Sequence, residues 1–267
     1  MGRYAINVFI DSWRAVGHSV AIVCGTDRHV PADVCIVHVD LSVVPAEYLA
    51  FARRYPSAVN AEVGDIRKST FSRLLLEPGS AYDGRVIVKT DLNAGGSPER
   101  VASQGPLRRS FHRCLPVRKL RRALGRPSRV DQLYRVYDSL ADVPPRYLDQ
   151  PYVVERFVPE EVDGSYGVRC FSFLGDRFLS YRLTSPNPIV KVHTSVSLED
   201  VTPHPDVFRL RDELRIDYGK LDYVVHDDKV FLLDVNKTMG GAGRPRPNPA
   251  LKAAWLERAS GIDAFLA

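Results

Sequence analysis

The stretch LDYVVHDDKVFLLDVNKT, residues 221–238, constrains the fold more than any other part of the chain. Two apolar runs, Leu221 to Val225 and Val230 to Asn236, flank a polar turn, which is the pattern of a β-hairpin. Yet Asp222, Asp234 and Asn236 stand among valines and leucines. Side chains alternate across a strand. Val230, Leu232, Asp234 and Asn236 are therefore expected on one face, and Phe231, Leu233 and Val235 on the other. A three-residue loop, Asp227-Asp228-Lys229, sets His226 against Val230 and Asp222 opposite Asp234. A four-residue loop sends Asp222 to the other face. Opposed carboxylates at ~5 Å repel by roughly 3 kcal/mol in an effective dielectric near ~20, and sheets avoid such pairs. A hard divalent cation with oxygen ligands removes the conflict, and Mg2+ is typically held by one or two carboxylates plus substrate phosphates. The competing explanation is a pair of Asp side chains at solvated strand ends, which an isolated D-x-N favours. The rest of the chain decides between them.

Composition excludes some classes. At 267 residues the chain is long enough for one large or two ordinary domains. Its 45% hydrophobic and 26% charged content is that of a soluble globular protein. No apolar run approaches the ~20 residues of a membrane span, so no membrane partner is expected. MGRYAINVFIDSWRAVGHSV has charges spread through it and no small-residue cleavage site, which is not the pattern of a signal peptide. Cys24, Cys35, Cys114 and Cys170 lie far apart with no CxxC pair, which fits reduced thiols in a cytoplasmic protein. A net charge of +5 and a pI near 9.0 point to an anionic partner.

Periodicity orders the rest. Residues 4–16 read as a helix stopped by Gly17, followed by three short strands at HSVAIVCGT, DVCIVHVDL and SAVNAEVGD. A helix at PAEYLAFARRY lies between the last two. That alternation predicts a small parallel α/β unit. DIRKSTFSRLLLE, 65–77, reads as a helix capped by Asp65, and GRVIVKTDLNAGGSPE as a strand entering a Gly-rich loop. LYRVYDSLADVPPRYL reads as strand and turn, PYVVERFVPEE as a strand leaving its sheet at Pro159, and GVRCFSFLGDRFLSYRLTS as a hairpin. VFRLRDELRIDYG is an amphipathic helix, and the tail from Asn248 is helical.

Gly-rich turns after strands present backbone N–H groups, and a nearby Lys adds charge, so Lys89 ahead of Asn93-Ala94-Gly95-Gly96 suits a phosphate. The P-loop spacing is absent. Taken singly, Lys89 is a solvated strand end and Lys68 an ordinary helix residue.

In order, however, these pieces resemble the ATP-grasp superfamily of carboxylate–amine ligases, typified by glutathione synthetase and D-alanine–D-alanine ligase. The resemblance covers most of the chain, best from about 65 to 240. It implies an α+β fold whose two lobes sandwich a nucleotide, preceded by a small Rossmann-like α/β domain. The implied bounds are 1–66 for that domain and 67–267 for the ATP-grasp domain, with lobes 67–155 and 156–267. It also implies roles: Lys68, Lys89, Gly95 and Gly96 on the phosphates; Glu155 towards the adenine amine; Phe157 and Val158 as backbone contacts to the base. Arg169 and Arg182 would be the catalytic cations, with Arg182 on the reacting phosphate. Asp222, Asp234 and Asn236 would hold Mg2+ or Mn2+. Two departures stand out. Asp234 replaces the usual Glu, which is one methylene longer. Gly167 replaces a ribose-contacting acid, for which Glu160, Glu161 and Asp163 are substitutes, Glu161 being favoured.

The implied activity is an ATP- and Mg2+-dependent ligase joining a carboxylate to an amine or thiol through an acyl phosphate, releasing ADP and phosphate. Its partners would be small-molecule or peptide substrates, with an acidic substrate as one option. The rival readings are a small-molecule kinase, a nucleotide-binding protein without turnover, and a basic nucleic-acid binder. The last rests on residues 106–129, with nine Lys/Arg and no acid. Only Phe111 interleaves them, too little for base stacking. A solvated surface or an electropositive lid over the cleft are the other readings of that run. GGAGRPR, 240–246, is a candidate acceptor loop or a plain one.

Overall fold

The computed structural model describes residues 4–103, 134–240 and 249–266. The basic run 106–129, Cys114 and all but the first residue of GGAGRPR lie outside the described residues. Among those described, no helix is long and apolar enough to cross a membrane.

The N-terminal part opens with α1 (Ile6–Ala15), which buries Phe9, Ile10 and Trp13 and ends at Gly17, whose φ of 99° only glycine adopts easily. Strand β1 (Val34–Ile36) pairs in parallel with β2 (Ser57–Val59) across α2 (Ala46–Ala52). A parallel helix-crossing unit forms as expected, but it has only two strands. Residues 18–25, expected as a buried strand, pair with neither, and Ile22 is 69% exposed. An apolar run without a sheet edge beside it leaves its peptide groups unpaired, so water keeps it as coil. A Rossmann-like domain is thus not established.

The expected helix over 65–77 shrinks to one turn, α3 (Lys68–Phe71). Asp65 Oδ1 accepts from the Arg67 backbone N–H just ahead of it (2.9 Å). Beyond Ser72 the chain runs beside a strand instead: Leu76 N–H donates to the Val154 carbonyl, and Arg156 N–H to that of Leu74. The leucine run finds a sheet edge, and ladder bonds replace helical ones.

That edge belongs to a three-stranded antiparallel sheet, ordered β4-β3-β5, of β3 (Val86–Thr90), β4 (Arg135–Tyr137) and β5 (Tyr152–Arg156). A turn at Asn93–Gly96 and the short α4 (Ser97–Ala102) follow β3. One face of this sheet carries Val86, Val88 and Val154 into a core with Val143.

The large sheet holds β6 (Glu160–Val162), β7 (Ser165–Leu174), β8 (Arg177–Ser185), β9 (Ser197–Asp200), β10 (Tyr218–His226) and β11 (Lys229–Asn236). Its order is β11-β10-β7-β8-β9, with β6 on β7, and every pairing is antiparallel. Helix α5 (Pro205–Glu213) covers one face, packing Val207 and Leu210 on Phe171, Phe173, Leu221 and Tyr223. At the other face, α6 (Pro249–Ala259) joins α1 in a core with Leu174 and Tyr218.

The β10–β11 hairpin reaches its expected register by an unexpected route. The turn has two residues, Asp227 and Asp228, both at positive φ, and His226 pairs with Lys229. Alone, that would break the Asp222–Asp234 pairing. A bulge corrects it: Tyr223 pairs with Leu232, Leu233 is left over, and Asp222 pairs with Asp234. The bulge also resets the faces. Val230, Leu232 and Val235 enter the core, so Asp234 does not continue the Val230–Leu232 row.

Candidate active site

The site lies where the small sheet faces the β10–β11 hairpin. Each carboxylate there meets a lysine. Lys68, fully buried, donates from Nζ to Asp234 Oδ1 at 3.0 Å. Burial works against its charge, but Asp234 outweighs that and holds the Lys68 pKa above its usual value. Helix α3 presents this lysine because the end of β3 pins it. Asp91 accepts from the Ser69 N–H (2.8 Å) and hydroxyl (2.9 Å), and its carbonyl from the Lys68 N–H.

Lys89 sits on the face of the small sheet that carries Ile87 and Glu155. It forms a buried ion pair with Glu155 at 2.5 Å and lies 3.5 Å from the Leu233 carbonyl. The Glu155 carboxylate is therefore committed to Lys89. Lys220 donates to Asp222 Oδ2 at 2.8 Å. Asp222 Oδ1 is buried with no hydrogen-bond partner among the described residues. Asn236 accepts the Thr238 N–H through Oδ1 at 2.8 Å.

Sequence reasoning missed three members of this cluster, Tyr134, Lys191 and Lys220. Tyr134, just ahead of β4, lies in the field of Lys68, Asp234, Glu155 and Asp222. Burial first, and then the carboxylates, push its phenol up to about 12. Lys191, from the β8–β9 connection, stacks over its ring at 4.6 Å. Neither residue carries a motif. Lys220 stands two residues before Asp222, so strand alternation alone places it on the Asp222 face.

A cleft of about 380 Å³ opens between the segment that follows β5 and the turn end of the hairpin. Phe157 and Val158 line it, as do Tyr82, Arg156 and Pro159 from the hinge side and His226, Asp227, Lys229 and Phe231 from the hairpin. Arg85 stacks over Phe157 at 4.7 Å.

Other expected site residues lie apart. Asn93–Gly96 turns through three successive left-handed residues, Ala94, Gly95 and Gly96, and both glycines are buried. Arg100 donates to the Gly95 carbonyl, and the Asn93 side chain to that of Val235 at 2.7 Å. The turn thus fastens β11 to the small sheet. Arg169 pairs in register with Arg182 and Tyr223, one row beyond Cys170 and Asp222. The two arginines therefore leave the sheet on the face opposite Asp222. Glu160 binds both: Arg169 Nε at 2.8 Å and Arg182 Nη1 at 3.3 Å, with the Val225 N–H at 2.8 Å. Glu161, next along β6, is exposed.

The donor set fits a hard divalent cation. Two facing carboxylates and an amide supply only oxygen ligands, and one buried carboxylate oxygen is unpartnered. The described residues hold no cluster of three or more His, Cys, Asp or Glu. None of the three described cysteines has a cation on its sulfur. Burial and Asp222 push the Cys170 thiol up, and Cys24, Cys35 and Cys170 are free.

No protein-family model matches the sequence, and no curated protein does. Solved structures do. The chain superposes on an ATP-grasp RimK-domain protein from Sphaerobacter thermophilus with a TM-score of 0.51 and 13% identity, covering 100% of this chain and 96% of that one. A D-alanine–D-alanine ligase from Helicobacter pylori matches 83% of this chain and 67% of its own length, at 11% identity and a TM-score of 0.38.

Proposed function

The chain has the ATP-grasp fold, and from that premise we propose that it is an ATP- and Mg2+-dependent ligase. It would join a carboxylate to an amine or thiol and release ADP and phosphate. The observation that carries this reading is the pair Asp222 and Asp234, opposed across the hairpin, with buried Lys68 on Asp234 and buried Lys89 against the intervening Leu233 carbonyl. Opposed carboxylates are unfavourable unless a cation is to be held there.

Asp222, Asp234 and Asn236 are the residues that would hold Mg2+. The metal would neutralise charge on the terminal phosphates as it develops. The base would enter the cleft at Phe157 and Val158, with Phe231 beneath it, and the phosphates would run past Lys89 towards Lys68. A substrate carboxylate oxygen then attacks the γ-phosphorus in line. The bond to the β–γ bridging oxygen breaks, ADP leaves, and an acyl phosphate forms. An amine nitrogen attacks the acyl carbon, the carbon–oxygen bond to phosphate breaks, and the nitrogen loses a proton. Positioning and charge neutralisation supply the catalysis, so no protein nucleophile is required. The buried, protonated Cys170 thiol is in keeping with that.

The test is a nucleotide-product screen with amino acids and peptides offered in pairs. ADP, phosphate and a ligated product in equal amounts support the reading. AMP with pyrophosphate contradicts it in favour of adenylate chemistry. ADP with a phosphorylated alcohol favours a kinase, and Mg-ATP binding without turnover of any pair favours a nucleotide-binding protein.

A further inference from the structure

Arg258 is a buried cation that pairs with no carboxylate among the described residues. It comes from α6 and is 3% exposed. Its Nε donates to the Ala254 carbonyl of its own helix at 3.2 Å, its Nη1 donates to the Ser172 hydroxyl, and its guanidinium stacks over Trp255 at 4.6 Å. Nη2 is buried and has no hydrogen-bond partner. Burial pushes the pKa of the group down to about 10, against the opposing pull of Tyr181, Tyr218 and Glu257.

Buried charges are paired as a rule, and buried donors are hydrogen-bonded. A side chain needed only for packing would be apolar at this place. The surroundings are short of partners too. The Tyr218 hydroxyl is buried near the Ile6 amide and makes no hydrogen bond of good geometry. The His38 ring lies 6.1 Å from that of Tyr218, and both of its nitrogens are buried without partners. The position of the guanidinium ties this gap to the site. In the β7–β10 pairing Asp222 faces Cys170, and Ser172 comes two residues farther along β7 on the same side. Ser172, with Arg258 on it, therefore stands about 7 Å along the face from the Asp222 row.

We propose that Arg258 binds a spectator carboxylate of a substrate, an acid group other than the one that is phosphorylated. The proposal rests on the ligase reading and deepens it by naming a substrate class. One of the two substrates carries an additional carboxylate, as a dicarboxylic acid, an amino acid or a peptide C-terminus does. The reacting carboxylate has to meet the γ-phosphorus beside Asp222 and Asp234. A group on Arg258 is a strand step away, so one carboxylate does not serve both places. A guanidinium offers a carboxylate two parallel N–H donors. Here Nη2 has its donors unused, and Nη1 can exchange the neutral Ser172 hydroxyl for a charged acceptor. In a buried place such a charge-assisted pair is stronger than it is in water.

Thermal melting tests this without any knowledge of the substrates. The probes are sodium acetate and sodium chloride at equal ionic strength, with acetamide as the neutral control. Acetate should raise the wild-type melting temperature by a few degrees over chloride, and acetamide should not. Arg258→Met removes a lone buried charge, so in chloride it should melt at or above the wild type, and it should lose the acetate effect. Arg258→Lys keeps the charge and should keep part of the effect. A variant Arg258→Met that melts far below wild type or does not fold marks a structural arginine and overturns the proposal. An acetate effect that is absent from the wild type, or that survives Arg258→Met, overturns it too. The product screen then locates the carboxylate, with each amino acid set against its α-amide and each dicarboxylic acid against its monoamide. Loss of ADP release with the α-amide puts the group on the amine substrate, and loss with the monoamide puts it on the acid. Arg258→Met should raise KM for that substrate by about tenfold to a hundredfold and leave kcat nearly unchanged. Equal use of acids and their amides overturns the proposal. No turnover of any pair contradicts the ligase reading, and the acetate melts still decide whether Arg258 holds an anion.

Discussion

The two faces of the large sheet use the same kinds of residue to opposite ends. On one face, Glu160 is buried and fully engaged, with two arginines and a backbone N–H on its oxygens. Nothing there is left to bind a ligand. On the other face, Asp222 and Asp234 oppose each other, each is held by one lysine, and a buried oxygen of Asp222 has no hydrogen-bond partner among the described residues. Charge count does not separate the two clusters. Completeness does: a satisfied network fixes structure, and a frustrated one is kept where a ligand will complete it.

The largest effect that would break the comparison is on stability. Glu160→Gln leaves Arg169 and Arg182 without their buried carboxylate, and removing one partner of such a network costs about 3 kcal/mol. The melting temperature should fall by roughly 6–12 °C, while the folded fraction still binds Mg-ATP. If Mg-ATP binding disappears and stability holds, the two faces have been assigned the wrong way round.

Asp222→Asn should do the reverse. It removes one of two opposed charges, so the ligand-free protein should melt within a few degrees of wild type. The stabilisation by saturating Mg-ATP, about 2.7 kcal/mol at a hundredfold excess over Kd, should be lost. Asp234→Asn is the less clean probe, because its partner Lys68 is fully buried, whereas Lys220, the partner of Asp222, is part-exposed and can reach water. A sharp fall in the stability of ligand-free Asp222→Asn would mark Asp222 as structural.

His38 sharpens the comparison farther along the Asp222 face, near Tyr218. Both its ring nitrogens are buried and unpartnered, beside Asp40 and Lys237. Burial, opposed by Asp40, brings its pKa down from 6.5 to about 4. The unfolded chain then takes up a proton that the fold refuses. Stability should therefore fall as pH drops from about 6.5 towards about 4. Between about pH 6.5 and 5 this amounts to roughly 2 kcal/mol. His38→Phe should flatten that limb in pH-dependent denaturation, and an unchanged slope would place the acid sensitivity elsewhere.

The smallest effect concerns the turn that sets which residues face which way. Asp227 and Asp228 both have positive φ, at 48° and 55°. Asp228→Gly relieves that strain and should stabilise by about 0.5–1 kcal/mol in chemical denaturation, with nucleotide binding unchanged. A loss of Mg-ATP binding would show that the turn had changed length and the register with it.

Several of these features were legible in the sequence. Alternation in residues 221–238, taken with a three-residue loop, set Asp222 against Asp234. Lys89 stood out in the sequence only through the family resemblance, and the structure sets it 3.5 Å from the Leu233 carbonyl of the hairpin. The turn length was not legible, and the register came out right because the bulge at Leu233 offsets a loop one residue shorter than expected. Periodicity within one strand does not report an extra residue in its neighbour. The same limit hides which face the arginines take. Which face Arg169 shares with Asp222 depends on how β7 pairs with β10, some fifty residues away in sequence, and the register sets it opposite Tyr223. Leu74–Leu76 looked helical until a sheet edge claimed their peptide groups. Lys220 was readable by alternation alone, two residues before Asp222.

Manganese offers the most direct test of the central claim that the Asp222 face holds the metal and nucleotide. The measurement is an electron paramagnetic resonance titration of Mn2+ with ATP into wild type, Asp222→Asn and Glu160→Gln at equal folded concentrations. The account predicts that the broadened signal of protein-bound Mn-ATP appears with the wild type and with Glu160→Gln, but not with Asp222→Asn. Mn-ATP that stays free in the wild type, or binds Asp222→Asn as tightly as wild type, would contradict it.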